Sequence, residues 1–567
     1  MFISVVGESG AGKNTLAKII CSEMKSEMDV LVWYNMRPGS REIDLIKELY
    51  FRAFYQRAYN QHFPDNHAEH DRSDPAPCYH YTVKLRHALA GARYLLMLGG
   101  ISSKTVLNSL RASLPDNGNG SRVILLLDSE NEEVAWHANS MNRDGINRVH
   151  LLTRLDRERS GQLFFWKVLR KGQQDSLQSL ARRSEKYYWW MFWNSRNPKD
   201  DEYTELVHDI TGGYPMAIVL LAGLVRFKEK PVEWDAVLQQ LKSGTQAAGG
   251  NNNNNDNINQ QAGNQCTSTR RAMEMIFWTS FEELPNDLKS CFLYFAFCPN
   301  HSCLLSDQIV GMWIAEGFIN NPCHGKTMEE VGHNYLKELV LRCLVEVVEM
   351  KVGGGIQFVR VHNTLMGFLQ SEVRESGFME IINIVHDVLV PPSARRLSVQ
   401  SDNSRRFATT FAQKKLPKLR SFICRIIDKE DDAAQFHDLD FLSRSKFIRV
   451  ISVQGLRLKK LPDNIGDMIN LRYLRIDFFR VKELPPSISR LLNLQTLDIR
   501  NTRVEAIDLD FWKIKTLRHV LASNLTLPKK MPVIAKKMGV VAVAASYRHY
   551  TESSRTPRIS GQQRTAR

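Results

Sequence analysis

Apolar residues in the N-terminal part of the chain gather into short runs of strand length, separated by stretches where they recur at helical spacing. Phe2-Ile3-Ser4-Val5-Val6 is followed by Leu16, Ala17, Ile19 and Ile20 at amphipathic-helix offsets. The run Arg93 to Ser102 has the character of a buried strand. So does Ser121 to Leu127, which is entered through the turn Asp116-Asn117-Gly118-Asn119-Gly120. Strands alternating with helical stretches predict a parallel sheet covered by helices.

Beyond residue 390 the pattern becomes periodic. Ile448, Leu471, Leu494 and Leu517 are each 23 positions apart and head the segments IRVISV, LRYLRI, LQTLDI and LRHVLA. Leu461-Pro462 with Ile465 recurs at the same offset as Leu484-Pro485 with Ile488. A period of about 20 to 29 residues with alternating leucines predicts a leucine-rich-repeat solenoid, one short strand per turn. Each repeat then buries its apolar face only against its neighbours. Outward strand positions, including Arg475, Asp477, Asp498 and Arg500, are expected to lie exposed as a protein-binding surface or a solvated face.

Between these regions Gly249-Gly250-Asn251-Asn252-Asn253-Asn254-Asn255-Asp256-Asn257, then Asn259-Gln260-Gln261, reads as a flexible insertion too polar to bury a core. With 567 residues, 43% hydrophobic and 24% charged, the chain is of ordinary globular composition, long enough for about three to five domains. No apolar run approaches the roughly 20 residues of a membrane span, and Met1-Phe2-Ile3 does not open an export signal. A cytoplasmic location is expected. Nine cysteines, an odd number spread over a long chain, fit reduced thiols better than a disulfide framework. Cys298, His301 and Cys303, with Cys323 and His324, lack a second pair at zinc-ligand spacing, and no metal site is assigned to them. His62, His67, His70 and His80 read as a solvated loop. The formal charge of +15 gathers largely in the tail, from Lys529 to Arg567 against the single acid Glu552. No reading element for nucleic acid accompanies it.

The chemistry-bearing motif is Gly7-Glu8-Ser9-Gly10-Ala11-Gly12-Lys13-Asn14-Thr15, set between the first strand and the first helix. Gly7, Gly10 and Gly12 let backbone N–H groups turn toward phosphate oxygens, and Lys13 adds positive charge. Asn14 stands where a hydroxyl normally meets Mg²⁺; Thr15, one position on, is a partial substitute. A hydrolase of this kind also needs acids at the end of a second strand, to hold the metal and orient water. That strand ends here in Gly99 and Gly100. Hydrolysis is therefore expected to be impaired, and no catalytic or metal-ligating residue is assigned.

In their joint order these motifs resemble the nucleotide-binding switch region (NB-ARC) of plant disease-resistance receptors of the nucleotide-binding, leucine-rich-repeat class. GESGAGKNTLA resembles the family's GMGGVGKTTLA, and Leu31-Val32-Trp33 its next strand. LLMLGGIS stands for LLVLDDVW and GSRVILLLDS for GSRIIVTTR, so that the family's sensing arginine falls on Asp128. Gly213-Tyr214-Pro215-Met216-Ala217 resembles GLPLA, whose proline packs near adenine and ribose. The block from Cys291 to Pro299, followed by Met312-Trp313-Ile314-Ala315-Glu316-Gly317-Phe318, looks like the coiled-coil branch. Val361-His362-Asn363 resembles the motif whose histidine approaches the β-phosphate of ADP; Asn363 replaces an acid there.

The resemblance covers residues 1 to 528. It implies a multidomain chain: an α/β P-loop nucleotide-binding subdomain (1–150), a helical subdomain (151–242), the Asn/Gly-rich linker (243–270), a winged-helix-like subdomain (271–390), α/β leucine-rich repeats (391–528) and a basic disordered tail (529–567). The expected ligand is ADP or ATP, held by Gly7, Gly10, Gly12, Lys13, Asn14, Thr15, Pro215 and His362, with the case for Mg²⁺ weakened by the missing acids. The implied function is a plant immune receptor, with a pathogen effector, a guarded host protein or a partner receptor as its ligand. Met1 at the first sheet strand leads to the expectation that the coiled-coil signalling domain is missing. A non-switching sensor or truncated receptor, and a working P-loop NTPase, are the alternatives.

Overall fold

The computed structural model describes residues 2–36, 41–60, 78–142, 144–168, 198–228, 231–247, 260–299, 302–319, 325–351, 354–383, 390–401, 411, 415–426, 439–442, 445–455, 461–477, 481–500, 502–523, 525–528 and 541–544. The expectations for His62, His67 and His70, for His301, Cys323 and His324, for the Asn-rich run 249–259 and for the tail beyond residue 544 lie outside the described residues. The described residues fall into two compact units that divide between Ile276 and Phe277.

The first unit opens with β1 (Phe2–Val6), α1 (Lys13–Met24), β2 (Val30–Asn35), α2 (Glu42–Asn60), α3 (Cys78–Leu89), β3 (Tyr94–Gly99), α4 (Lys104–Ser113), β4 (Arg122–Leu127), α5 (Glu132–Ser140) and β5 (Val149–Leu151). All five strands are parallel, in the order β2-β3-β4-β1-β5. Successive side chains of a strand point to opposite faces, so a strand with helices on both faces must be apolar throughout. β3 meets that condition and is buried along its whole length. Its Tyr94, Leu96 and Leu98 pack with Leu45, Leu49 and Leu107, while Leu95 and Met97 pack with Val5, Ala17 and Ile124 on the other face. In α1, Leu16 and Ile20 lean on the sheet as their spacing predicts, whereas Ile19 faces solvent.

The helices α6 (Arg157–Val168), α7 (Pro198–Thr211), α8 (Pro215–Val225) and α9 (Pro231–Ala247) complete this unit. α8 is buried at all but two of its positions, because its sequence PMAIVLLAGLV offers no polar face. α10 (Gln260–Glu282) carries the chain onward.

The second unit begins with α11 (Asn286–Leu293), β6 (Leu304–Leu305), α12 (Ser306–Glu316), α13 (Met328–Leu341), β7 (Glu346–Met350), β8 (Ile356–Arg360) and α14 (Asn363–Glu375). The strands form a small antiparallel sheet in the order β6-β8-β7 beside the helices, a winged-helix arrangement. A capping box starts α13: Thr327 accepts from the Glu330 N–H while the Glu330 carboxylate accepts from Thr327 N–H.

The solenoid follows as β9 (Glu380–Asn383), β10 (Arg396–Ser401), β11 (Ser421–Ile426), β12 (Val450–Gln454), β13 (Tyr473–Asp477), β14 (Thr496–Ile499), β15 (His519–Ala522) and β16 (Val541–Ala544). These eight strands are parallel and pair in chain order. Ile451, Val453, Leu474, Ile476, Leu497 and Ile499 point into one core together with the turn residues Ile465 and Ile488. Side chains bridge neighbouring turns: Asn470 donates to Lys446 O at 2.8 Å, Asn493 to Ile469 O at 2.7 Å and Thr516 to Leu492 O at 2.8 Å. No helix among the described residues is long and apolar enough to cross a membrane.

Candidate functional site

The loop from Gly7 to Gly12 leaves β1 at the carboxyl edge of the sheet, where open parallel sheets hold their ligands. Gly10 and Gly12 have φ of 96° and 102°, a region that L side chains rarely adopt, and Gly12 is the N-cap of the 12-residue α1 with no side-chain cap. Positive-φ glycines running into a helix N-terminus can turn N–H groups toward one point, so the backbone fits a phosphate group. Lys13 lies back across this loop. Its ammonium donates to Gly7 O at 2.6 Å, to Glu8 O at 2.8 Å and to Asp128 Oδ1 at 2.9 Å. Asn14 and Thr15 follow in the first turn of α1.

Sheet order explains the third bond. β4 pairs directly with β1, with Val6 opposite Leu127, so residue 128 emerges beside the loop. Asp128 precedes the short 3₁₀ turn Ser129–Asn131 without capping it; its carboxylate turns to Lys13 instead. β3 lies on the far side of β4 and contributes Gly99 and Gly100 at its end. Gly100 has φ of 72°, and a Cβ there would stand 2.2 Å from Met36 O. The backbone thus holds no side chain at that position, and the residues present do not fit a metal ion at the end of β3.

The GYPMA segment reaches the same loop. Tyr214 is the N-cap of α8 and Pro215 its first residue. A Cβ at Gly10 would lie 2.8 Å from Tyr214 Oη and 3.0 Å from Met216 Cβ, so the loop and this helix start are in close packing that only glycine allows. Arg154 pairs with Glu8 at 3.3 Å. Among the residues expected to hold nucleotide, Gly7, Gly10, Gly12, Lys13, Asn14, Thr15 and Pro215 therefore share one unit. His362 belongs to the other, where it is the N-cap of α14 and its Nδ1 accepts from Thr364 N at 3.3 Å. The Lys13–Asp128 pair and the seat of Tyr214 on Gly10 were not anticipated. Asp128 is visible in sequence only as an acid where a basic residue stands in the resembled pattern.

The second unit corrects one expectation outright. Asp477 and Asp498 are 4% and 1% exposed, not solvated, and their arginines Arg475 and Arg500 are largely covered. Arg500 Nε donates to Asp498 Oδ1 at 2.8 Å and Arg475 to Asp477 Oδ2 at 2.9 Å. Burial pushes the Asp498 carboxyl up, but the Arg500 and Arg475 guanidinium groups outweigh it and hold it below the usual carboxylate range. Beside them the Tyr473 phenol is pushed well up, chiefly by burial.

Next to this network the winged helix of the same chain packs on the outward side of the repeat strands. Gly311 of α12 sits against the Tyr473 ring, 3.2 Å from where its Cβ would be. Glu316, the last residue of α12, is wholly buried; it accepts from Arg396 Nε at 3.0 Å and from the Ser421 hydroxyl. Arg449 donates to Glu316 O at 2.7 Å, and Gly317 closes the helix with φ of 85°. The Arg396 guanidinium also lies over the Phe378 ring at 4.2 Å. Farther along, Glu329 accepts from Arg518 Nε at 2.7 Å and stands 2.9 Å from His519 Nε2. Burial pulls the Glu329 carboxyl up, yet bonds from His519 and Arg518 hold it down to about 2.

Three family descriptions match the chain: an NB-ARC domain over residues 1–174, a disease resistance protein winged helix domain over 298–369 and a leucine-rich repeat region over 395–540. The ToMV resistance protein Tm-2(2) of Solanum lycopersicum is 26% identical over 540 residues, 91% of this chain and 53% of that protein. An RPP8-like disease resistance protein of Arabidopsis thaliana is 26% identical over 84% of this chain and 46% of its own length. The chain spans about half the length of these curated relatives. The ToMV susceptible protein tm-2 of Solanum lycopersicum matches at the same 26% identity, so the similarity conveys architecture and not recognition of a given virus. Among solved structures, a signal transduction ATPase with a tetratricopeptide repeat sensor from Pyrococcus horikoshii aligns at TM-score 0.35 and 13% identity, over 66% of this chain and 42% of that one; so low a likeness carries no argument. Nucleotide-binding domain, winged helix and repeat region stand in the order that the motifs predict, and the chain joins an NB-ARC domain, a disease resistance winged helix and a leucine-rich repeat region, with similarity to plant disease resistance proteins along most of its length.

Proposed function

We propose that the chain is the nucleotide-binding and repeat-bearing part of an intracellular plant immune receptor, in which bound ADP or ATP sets whether the repeat face stays covered. The observation that carries this reading is the buried Glu316, which ties the winged helix onto the outward side of the repeat strands through Arg396 and Ser421. A surface suited to binding another protein is thereby occupied from within, and a partner must compete with that contact. The free cysteines among the described residues suit a reducing compartment.

In this reading the backbone of Gly10 and Gly12 and the start of α1 bind the phosphates, Gly7 anchors the loop by donating its N–H to Leu127 O at 3.2 Å, Lys13 orients the phosphates, Asn14 and Thr15 border them, and Tyr214 with Pro215 closes the loop. His362 takes the phosphate-sensing role that the resemblance gives it. Without acids at Gly99 and Gly100 the nucleotide is held and not turned over rapidly. A pathogen effector, a guarded host protein or a partner receptor displaces the cover. Such a switch works only if the nucleotide binds the two states with different affinity.

The test is the nucleotide content of the purified chain, released by denaturation, with Lys13→Ala as control. Stoichiometric ADP that is lost in the variant is the expected result. Folded wild-type protein that carries no nucleotide would sink the switch and favour the second reading, a non-switching binding module, for which the acid-free end of β3 is the supporting observation.

A further inference from the structure

We propose that Asp128 is a tethered anion that competes with the terminal phosphate of a nucleotide for Lys13, so that the loop selects nucleoside diphosphate over triphosphate. This rests on the reading that Gly7–Thr15 holds ADP or ATP. A lysine ammonium has three N–H donors and no more. Here all three are committed, to Gly7 O, Glu8 O and Asp128 Oδ1, at 2.6, 2.8 and 2.9 Å. A phosphate oxygen can gain Lys13 only by displacing one of these acceptors. Two of them are carbonyls of the loop itself, fixed by the glycine backbone. The third is a side chain that is 58% exposed at the end of a strand and caps nothing. Asp128 is the partner that yields.

The consequence differs for the two nucleotides. Loop N–H groups and the dipole of α1 act on whichever phosphate lies in the loop, diphosphate or triphosphate alike. Lys13 and Asp128 stand at the open carboxyl edge, where an additional terminal phosphate has to be accommodated. For that group the local side-chain charge sums to zero: Lys13 is matched by Asp128, and Glu8 by Arg154. A triphosphate therefore meets a carboxylate at the place where it needs a cation. No acid at the end of β3 holds a metal that would neutralise it. Because Asp128 is exposed, water and salt screen the repulsion, which puts the effect near one order of magnitude and makes it weaken as salt rises.

The experiment is titration calorimetry of the full chain with ADP and with ATP, each with Mg²⁺ and with a chelator, on wild type, Asp128→Asn and Asp128→Arg. Thermal unfolding confirms that the variants fold. The expected result is that Asp128→Asn strengthens ATP binding about tenfold and ADP binding about threefold or less, and that Asp128→Arg widens the difference. An unchanged ratio of ATP to ADP affinity overturns the proposal. So does weaker Mg·ATP binding by Asp128→Asn, which would make Asp128 a metal carboxylate. Wild type that binds neither nucleotide, while Asp128→Asn binds ATP, supports the tethered anion and overturns the ADP-held receptor. If no variant binds any nucleotide, both fail.

Discussion

The phosphate loop and the winged-helix seam treat charge in opposite ways. At the loop, Lys13 is answered by an exposed carboxylate at the end of a neighbouring strand, and the acids that the resembled pattern places nearby are Gly99 and Gly100, the second of which has no room for a side chain. At the seam Glu316 is buried against Arg396, and on the neighbouring repeat strands Asp477 and Asp498 are buried too, each held by arginine. An exposed pair is screened and contributes little to stability, so such a site can change its charges without unfolding the protein. A buried pair cannot lose one member without leaving an uncompensated charge. The departures at Gly99, Gly100 and Asp128 thus lie around the loop, whereas Glu316 of the resembled Met312–Phe318 block is buried in the chain's own fold.

That contrast can be broken most forcefully at Glu316. Glu316→Ala leaves the Arg396 guanidinium buried without its carboxylate and is expected to cost about 3–5 kcal/mol, read as a lowered denaturant midpoint of the full chain. Next, Gly311→Leu drives a side chain into the Tyr473 ring, at an expected cost of about 1–3 kcal/mol. Proteolysis that newly cuts at the seam would report the same event. A third, smaller effect concerns acid. Glu329 is held at about 2, below its ordinary 4.5, so its stabilisation is complete above about pH 4.5 and is lost as pH falls through about 2. The stability gap between wild type and Glu329→Gln should accordingly shrink across that window; a gap independent of pH would contradict the pairing with Arg518 and His519. The smallest effect belongs to the first unit's surface. Lys104→Ala removes the exposed pair with Glu133 and should leave the unfolding midpoint unchanged within error.

Sequence pattern made some elements plain and hid others, for physical reasons. β3 is readable because a strand covered on both faces has to be apolar at every step, as Tyr94 to Leu98 are. The repeats are readable because a period of 23 residues fixes which leucines share a core. The same alternation also names the outward residues of each strand, but it does not say what lies on that side. Arg475, Asp477, Asp498 and Arg500 look like solvated charges until the parallel pairing of β13 and β14 sets them side by side as buried ion pairs. Glu316 was visible inside a motif that reads simply as a buried helix. Lys13 and Asp128 are separated by 115 positions, and only the insertion of β4 between β3 and β1 brings them together. His362 was marked by its motif, whereas its capping of α14 is a local fact that the motif does not carry.

The covered repeat face is the central claim, and hydrogen exchange tests it most directly. Exchange of the amides in α12 and β11 to β13 should be compared between the wild-type full chain and Glu316→Gln, which keeps the side chain's size while removing its charge. Slow exchange of α12 in wild type, released selectively in the variant while the five-stranded sheet of the first unit stays protected, is the predicted result. Fast exchange of α12 in wild type, or equal protection in both proteins, would mean that the winged helix does not cover the repeats through Glu316.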